Sequence, residues 1–296
     1  MNGNLVNARD WKESLEQQGS IFQTNSDTEV LAHLIKRSRG SLNQRDRVKS
    51  ALKTLKGAFA FVILTDDSLM VAQDPNGLRP LSLGKLGDSG VVASETCAFD
   101  IIGAKHVRSV EPGELITITK DGLHSDRFQE ADDRAICSME YIYFSRPDSN
   151  IDDINIHNAR KRCGIQLAKE VGNLEADVVT GVPDSSISAA IGFSEATGIP
   201  YELGLIKNRY VGRTFIEPSQ ALREKGVKMK LSPVHHVVSG KRVVMVDDSI
   251  VRGTTSRRIV KMLKEAGATE VHVVIASPPL VNPCYYGVDI STDSEL

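Results

Sequence analysis

The sequence contains no run of eighteen or more apolar residues, so no segment has the length and composition of a membrane span. It has no large excess of either charge. Its 36 Lys plus Arg stand against 38 Asp plus Glu, a formal net charge of −2, which removes the electrostatic case for nucleic acid or an anionic membrane as main partner. The four cysteines, Cys97, Cys137, Cys163 and Cys284, form no C-x-x-C pair and lack the density of a disulfide framework, as free thiols in a reducing compartment do. The opening stretch is polar, without the apolar core of a signal peptide or the arginine-rich composition of a transit peptide, so the cytoplasm is the expected location. There is no internal repeat, no low-complexity segment, no G-x-x-x-x-G-K-[ST] loop and no G-x-G-x-x-G fingerprint. What is present is 296 residues, 41% hydrophobic and 25% charged, a globular balance with length for two ordinary domains.

Two textures divide the chain. Residues 1 to about 125 read as a strand-rich half following one helix, which is announced by Ser26 with Glu29 three positions on, a capping-box pattern ahead of Val30, Leu31, Leu34 and Ile35. Strands are expected over 58–64, 69–72, 80–83, 91–94 and 114–119, separated by Asp-, Gly- and Pro-rich turns. Met1 opens directly on Asn2-Gly3, leaving little room for a strand before the helix. From about residue 155 the pattern changes to strands alternating with helices. Helices are expected over 157–171, 185–196 and 255–266, and strands over 177–182, 201–206, 242–246 and 271–276. That alternation argues for a parallel α/β sheet, and the apolar run 242–246 for a strand buried on both faces.

The segment with the most chemistry follows that run: Asp247, Asp248, Ser249, Ile250, Val251, Arg252, Gly253, Thr254 and Thr255. A strand ends in two carboxylates, and a short loop with glycine and hydroxyls opens a helix. Backbone N–H groups at a helix N-terminus, with Gly253 and the threonine hydroxyls, suit a phosphate monoester. The carboxylates would repel that phosphate and so face something else, for which sugar hydroxyls and a hard cation such as Mg²⁺ fit. Taken singly, the aspartates could simply end a strand and the threonines cap a helix. A ribose 5-phosphate accounts for the whole string at once.

This string resembles the PRPP-binding signature of type I phosphoribosyltransferases. The stretches 137–148, 180–186, 207–215, 277–279 and 283–289, in this order, resemble the glutamine phosphoribosylpyrophosphate amidotransferase family in particular, and the resemblance covers essentially the whole chain. It implies two domains: a partial N-terminal-nucleophile glutaminase domain of layered sheets over 1–125, and a type I phosphoribosyltransferase parallel α/β domain over 155–296, with 126–154 connecting them. The implied reaction joins PRPP and ammonia into 5-phosphoribosylamine and pyrophosphate, the first step of purine synthesis, with glutamine supplying the ammonia. By resemblance Asp247 and Asp248 bind Mg²⁺ and the ribose hydroxyls, Ser185 is a third metal-associated position, and Ser249 to Thr255 bind the 5-phosphate. The basic stretch after Ile206 resembles a flexible catalytic loop in which Lys207, Arg209 and Arg213 neutralise leaving pyrophosphate.

The resemblance also marks departures. The family's catalytic cysteine lies at the extreme N-terminus of its mature chain and nothing here matches it, so glutamine hydrolysis is not expected of this chain as given. Cys97 belongs to a framework motif instead. Asn2 and Gly3 match the family's oxyanion pair, although Asn-Gly alone is a common turn dipeptide. Asp27 matches a residue that holds the glutamine amino group, although it equally suits a first helical turn. Cys137 and Cys284 resemble two of the four ligands of a 4Fe–4S cluster, with Cys163 outside that motif. The chain is expected to be truncated at both ends, the complete protein to be a homotetramer inhibited by purine nucleotides, and the competing readings to be a non-catalytic PRPP-binding regulator or an inactive fragment.

Overall fold

A computed structural model describes residues 1–38, 43–131, 133–208, 231–288 and 290. The chain divides into two units. One comprises Met1–Glu140 with Asn150–Asp152 and the segment beginning at Pro283; the other comprises Tyr141–Ser149 and Asp153–Asn282. Among the described residues no helix is long and apolar enough to cross a membrane.

The first unit has three layers. A five-stranded antiparallel sheet is ordered β1 (Asn2–Leu5), β2 (Gly57–Leu64), β3 (Leu69–Gln73), β7 (Glu114–Thr119), β8 (Gly122–Arg127). Side chains alternate across its strands, so Phe59, Phe61, Met70, Ala72 and Leu115 point to one face while Ala60, Val71 and Ile116 point to the other. On the first face lie α1 (Ala8–Gln17), α2 (Asp27–Arg37) and α3 (Gln44–Leu52), which bury Leu15, Val30, Leu31, Val48 and Leu52. On the second lies a smaller sheet, ordered β5 (Ser89–Ala93), β4 (Ser82–Leu86), β6 (Lys105–Ser109), with Leu81, Leu83 and Val110 against the first; the short helix α4 (Cys97–Ile102) precedes β6. The expectation of one helix ahead of the strands therefore falls short by two, and Asn2–Leu5 is a strand where no room for one was foreseen. The capping box at Ser26 forms by half: Ser26 accepts from the Thr28 N–H, but Glu29 turns back to accept from the N–H groups of Gln23 and Thr24.

The second unit is a parallel three-stranded sheet ordered β9 (Val178–Gly181), β12 (Arg242–Asp247), β13 (Glu270–Ile275). In β12, Val243, Val244, Met245 and Val246 are fully buried because helices cover both faces. Val244 and Val246 meet α5 (Ile156–Val171) and α6 (Ile187–Thr197) through Ala168, Ala189, Ala190 and Phe193. Val243 and Met245 meet α8 (Thr254–Glu265) through Ile259, Met262 and Leu263, and Val238 of the short helix α7 (His235–Val238). A two-stranded antiparallel ribbon, β10 (Leu205–Lys207) with β11 (Leu231–Pro233), belongs to the same unit.

Helices α5 and α6 touch backbone to backbone. A Cβ added at Gly164 would fall 1.9 Å from the Ala189 carbonyl oxygen, and one at Gly192 would fall 2.1 Å from that of Lys161. Neither backbone can move without moving the sheet beneath it, so the extra carbon outweighs the small gain in helix propensity. Gly164→Ala should therefore destabilise the second unit by about 3 kcal/mol or more, seen as a lower urea midpoint; an unchanged midpoint would contradict this packing.

Candidate functional site

The carboxyl end of β12, the middle strand of a parallel sheet, is where a crevice for ligands is expected. It carries Asp247 and Asp248, which are only 8% and 7% exposed. Their backbone is fixed from the neighbouring strand, with the Ala276 and Ser277 N–H groups donating to the carbonyls of Asp247 and Asp248. The side chains are held by hydroxyls and a peptide N–H. Asp247 accepts from the Asp248 N–H at 3.0 Å and from Ser186 Oγ at 3.2 Å, while Asp248 accepts from Ser249 Oγ at 2.6 Å and, closely, from Ser185 Oγ. Burial, and then the adjacent Asp248 charge, push Asp247 up to about 6, against the opposing pull of the Asp248 N–H, Ser186 and Ser256 hydrogen bonds.

The loop after the pair is built for a turn into a helix. Gly253 has φ of +65°, a left-handed conformation that disfavours side chains, and Thr254 begins α8 with no side-chain cap. Among the described residues no side chain caps the start of α8, which leaves its first-turn N–H groups for a ligand there. Thr254 and Thr255 are exposed there, and Ser256 is buried against Asp247. The capping role that the threonines could have had is thus not the one they take.

Facing the pair is the turn from β9 to α6, with a cis peptide between Pro183 and Asp184. Three successive side chains of this turn are engaged. Asp184 Oδ2 lies 2.5 Å from Lys207 Nζ, Ser185 bonds Asp248, and Ser186 bonds Asp247. The fold thus gathers Ser185, Lys207, Asp247, Asp248 and Ser249 around one loop. Arg209 and Arg213 lie outside the described residues. Sequence reasoning assigned no role to Asp184, Ser186 or Ser256. Asp184 and Ser186 sit inside the stretch 180–186 that carried the resemblance, and this was the signal that could have pointed to them.

In the first unit, Asn2 and Gly3 pair with Ala60 and Phe59 on the edge strand β1. Gly3 has φ of +127° and a Cβ there would fall 2.0 Å from the Ala58 carbonyl oxygen, so this strand position demands glycine. Asp27 is more than a first-turn acid, because its Oδ2 accepts the Leu5 N–H at 3.1 Å and ties α2 to β1. A cavity of about 780 Å³ is lined by Asn4, Asp27, Lys12, Cys284 and Tyr285 among others. Asn2 and Gly3 are not among the residues that line it. Cys137 and Cys284 are both half-buried, and no group of three or more His, Cys, Asp or Glu side chains suited to a metal occurs among the described residues.

Comparison with known proteins fits these two assemblies. A sequence-family model described as a glutamine amidotransferase domain matches residues 1–100, and one described as a phosphoribosyl transferase domain matches residues 150–287. The fold and the site therefore define a phosphoribosyltransferase unit following a glutamine amidotransferase-like one. The amidophosphoribosyltransferase of Bacillus subtilis (strain 168) is 70% identical over 295 residues, covering 100% of this chain and 62% of its own length. That of Staphylococcus aureus (strain MRSA252) is 52% identical over 296 residues, 60% of its own length. The solved structure of glutamine PRPP amidotransferase from B. subtilis, complexed with ADP and GMP, superimposes with a TM-score of 0.91 and 70% identity, covering 100% of this chain and 64% of that one. The chain belongs to the amidophosphoribosyltransferase family and spans about three fifths of the length of the curated relatives it matches. Phosphoribosyltransferases of this kind point to Mg²⁺ as the metal.

The raised Asp247 carboxyl has a consequence for stability. Between its ordinary value of 3.8 and about 6 the folded chain holds a proton that the unfolded chain releases, so stability falls as pH rises through that window and stays low above it. Asp247→Asn removes the buried charge and keeps an acceptor oxygen. Its thermal midpoint should exceed that of the parent at about pH 8, by the equivalent of about 1–3 kcal/mol, and converge with it near pH 4.5. A variant less stable than the parent at the higher pH would show that the pair is not a burden to the fold.

Proposed function

We propose that this chain carries the transferase site of an amidophosphoribosyltransferase, which forms 5-phosphoribosylamine and pyrophosphate from PRPP and ammonia, with glutamine the ammonia source in the complete protein. The observation that carries the reading is the buried carboxylate pair at the end of β12, followed by a short loop that closes on a left-handed glycine and a helix start. The loop from Ser249 to Thr255 binds the 5-phosphate with N–H groups and hydroxyls. Asp247 and Asp248 accept hydrogen bonds from the ribose hydroxyls. Two carboxylates beside Ser185 fit Mg²⁺, which takes few protein ligands and completes its shell with water and substrate oxygens; when bound, it supplies charge neutralisation on the pyrophosphate. Nitrogen attacks C1 as the C1–O bond to pyrophosphate breaks, and the ammonium so formed loses a proton. Lys207, with Arg209 and Arg213, meets the charge that accumulates on the leaving group.

Residues of the first unit extend the proposal. Asn2, Gly3 and Asp27 belong to the glutamine side, where Asp27 reaches β1 through the Leu5 N–H. A 4Fe–4S cluster in the complete protein would draw on Cys137 and Cys284, and the Tyr286 N–H already points at Cys284 Sγ from 3.3 Å. Such a cluster needs four thiolates, and the described residues do not fit one by themselves. Purine nucleotides are the proposed inhibitors, in line with the ADP and GMP held by the B. subtilis enzyme. A homotetramer and a cytoplasmic location complete the proposal.

The reading is tested by pyrophosphate release from PRPP and Mg²⁺ with ammonia or with glutamine as donor. Release with ammonia, lowered at least about a hundredfold in Asp248→Asn, is expected. Binding of PRPP without release would favour a regulator, and equal release with glutamine would overturn the assignment of nitrogen supply to other parts of the protein.

A further inference from the structure

The turn between β9 and α6 spends all three of its polar side chains within the second unit. Two serines serve the carboxylates of β12. The third, Asp184, takes the ammonium of Lys207. Lys207 ends β10, where pairing with Leu231 of β11 fixes its backbone, so only the side chain is free to choose a partner. The two side chains remain 49% and 67% exposed, which makes their attraction weak and readily exchanged.

We propose that Asp184 is a positioning residue whose carboxylate occupies the place on Lys207 that a pyrophosphate oxygen takes. This rests on the reading of Lys207 as a pyrophosphate clamp. A carboxylate and a phosphate oxygen are both anionic acceptors for an ammonium, and the lysine stem lets one donor head pass between acceptors that lie close together. Before substrate arrives, Asp184 holds the lysine head at the mouth of the site instead of leaving it to range through solvent. When pyrophosphate is present the same carboxylate competes with it and repels it. After the C1–O bond has broken, recapture of Lys207 by Asp184 weakens the hold on the product. Asp184 thus trades affinity for the departing anion against readiness and release.

The test is calorimetric binding of Mg²⁺-pyrophosphate to the whole chain in four forms: parent, Asp184→Asn, Lys207→Met and the double variant. Asp184→Asn should tighten binding roughly three- to tenfold, with the gain shrinking as salt is raised. With Lys207→Met in place the same change should gain less than about twofold, because the competition has lost its object. Asp184→Glu, which keeps the charge, should stay within about twofold of the parent. Unchanged or weaker binding by Asp184→Asn would overturn the proposal, as would an equal gain in both backgrounds, which signals general repulsion. A parent chain that binds no pyrophosphate would overturn the transferase reading as well. A parent that binds while Asp184→Asn fails to tighten would overturn this proposal alone.

Discussion

Two carboxylates buried side by side at the end of a strand dominate the second unit. Desolvation and mutual repulsion work against them, and the elements around them act to hold them there. The hydroxyls of Ser185, Ser186, Ser249 and Ser256 and a peptide N–H compensate part of the cost. Ser185 and Ser186 keep their places because α6 starts where it does, and α6 is located by its backbone contact with α5 at Gly164 and Gly192. The apolar strand beneath gives the pair an unyielding base, with four successive side chains locked between helices. A fold free to relax would let the aspartates separate into water. This one holds them together, which is an arrangement suited to meeting a cation.

Much of the second unit was legible because burial wrote it into the sequence. The run 242–246 had no polar residue to spare after Arg242, and Ile259, Met262 and Leu263 repeat at helical spacing on the face that covers it. The acidic pair and the loop after it stood out because no packing role needs that combination. What escaped were partners set by three-dimensional proximity. Nothing in the chain order says that Asp184 meets Lys207, twenty-three residues on, or that Ser186 meets Asp247, sixty-one residues on.

The first unit was read less completely, and most of the omissions share a cause. Strands β1, β6 and β8 lie at sheet edges and are held largely by backbone hydrogen bonds. Lys105–Ser109 and Gly122–Arg127 carry few apolar side chains and stay mostly exposed, so no alternation betrays them. Helix α1 buries one side chain, Leu15, fully and only part of Trp11, so its stripe is too thin to read as a face. Strands β2, β3 and β7, interior in their sheet and largely buried, match the expected ranges nearly to the residue.

The choice of serine around the acidic pair has a kinetic side. A hydroxyl is a rotor with one donor hydrogen and two lone pairs, so Ser185, Ser186 and Ser249 can donate a hydrogen bond to a bare carboxylate or turn to offer oxygen to an arriving cation. The exchange needs rotation about side-chain single bonds and no rearrangement of the chain trace. Entry of a ligand should then be paced by diffusion and by loss of its water shell rather than by movement of the backbone. One backbone geometry can in this way serve both the resting and the charged site.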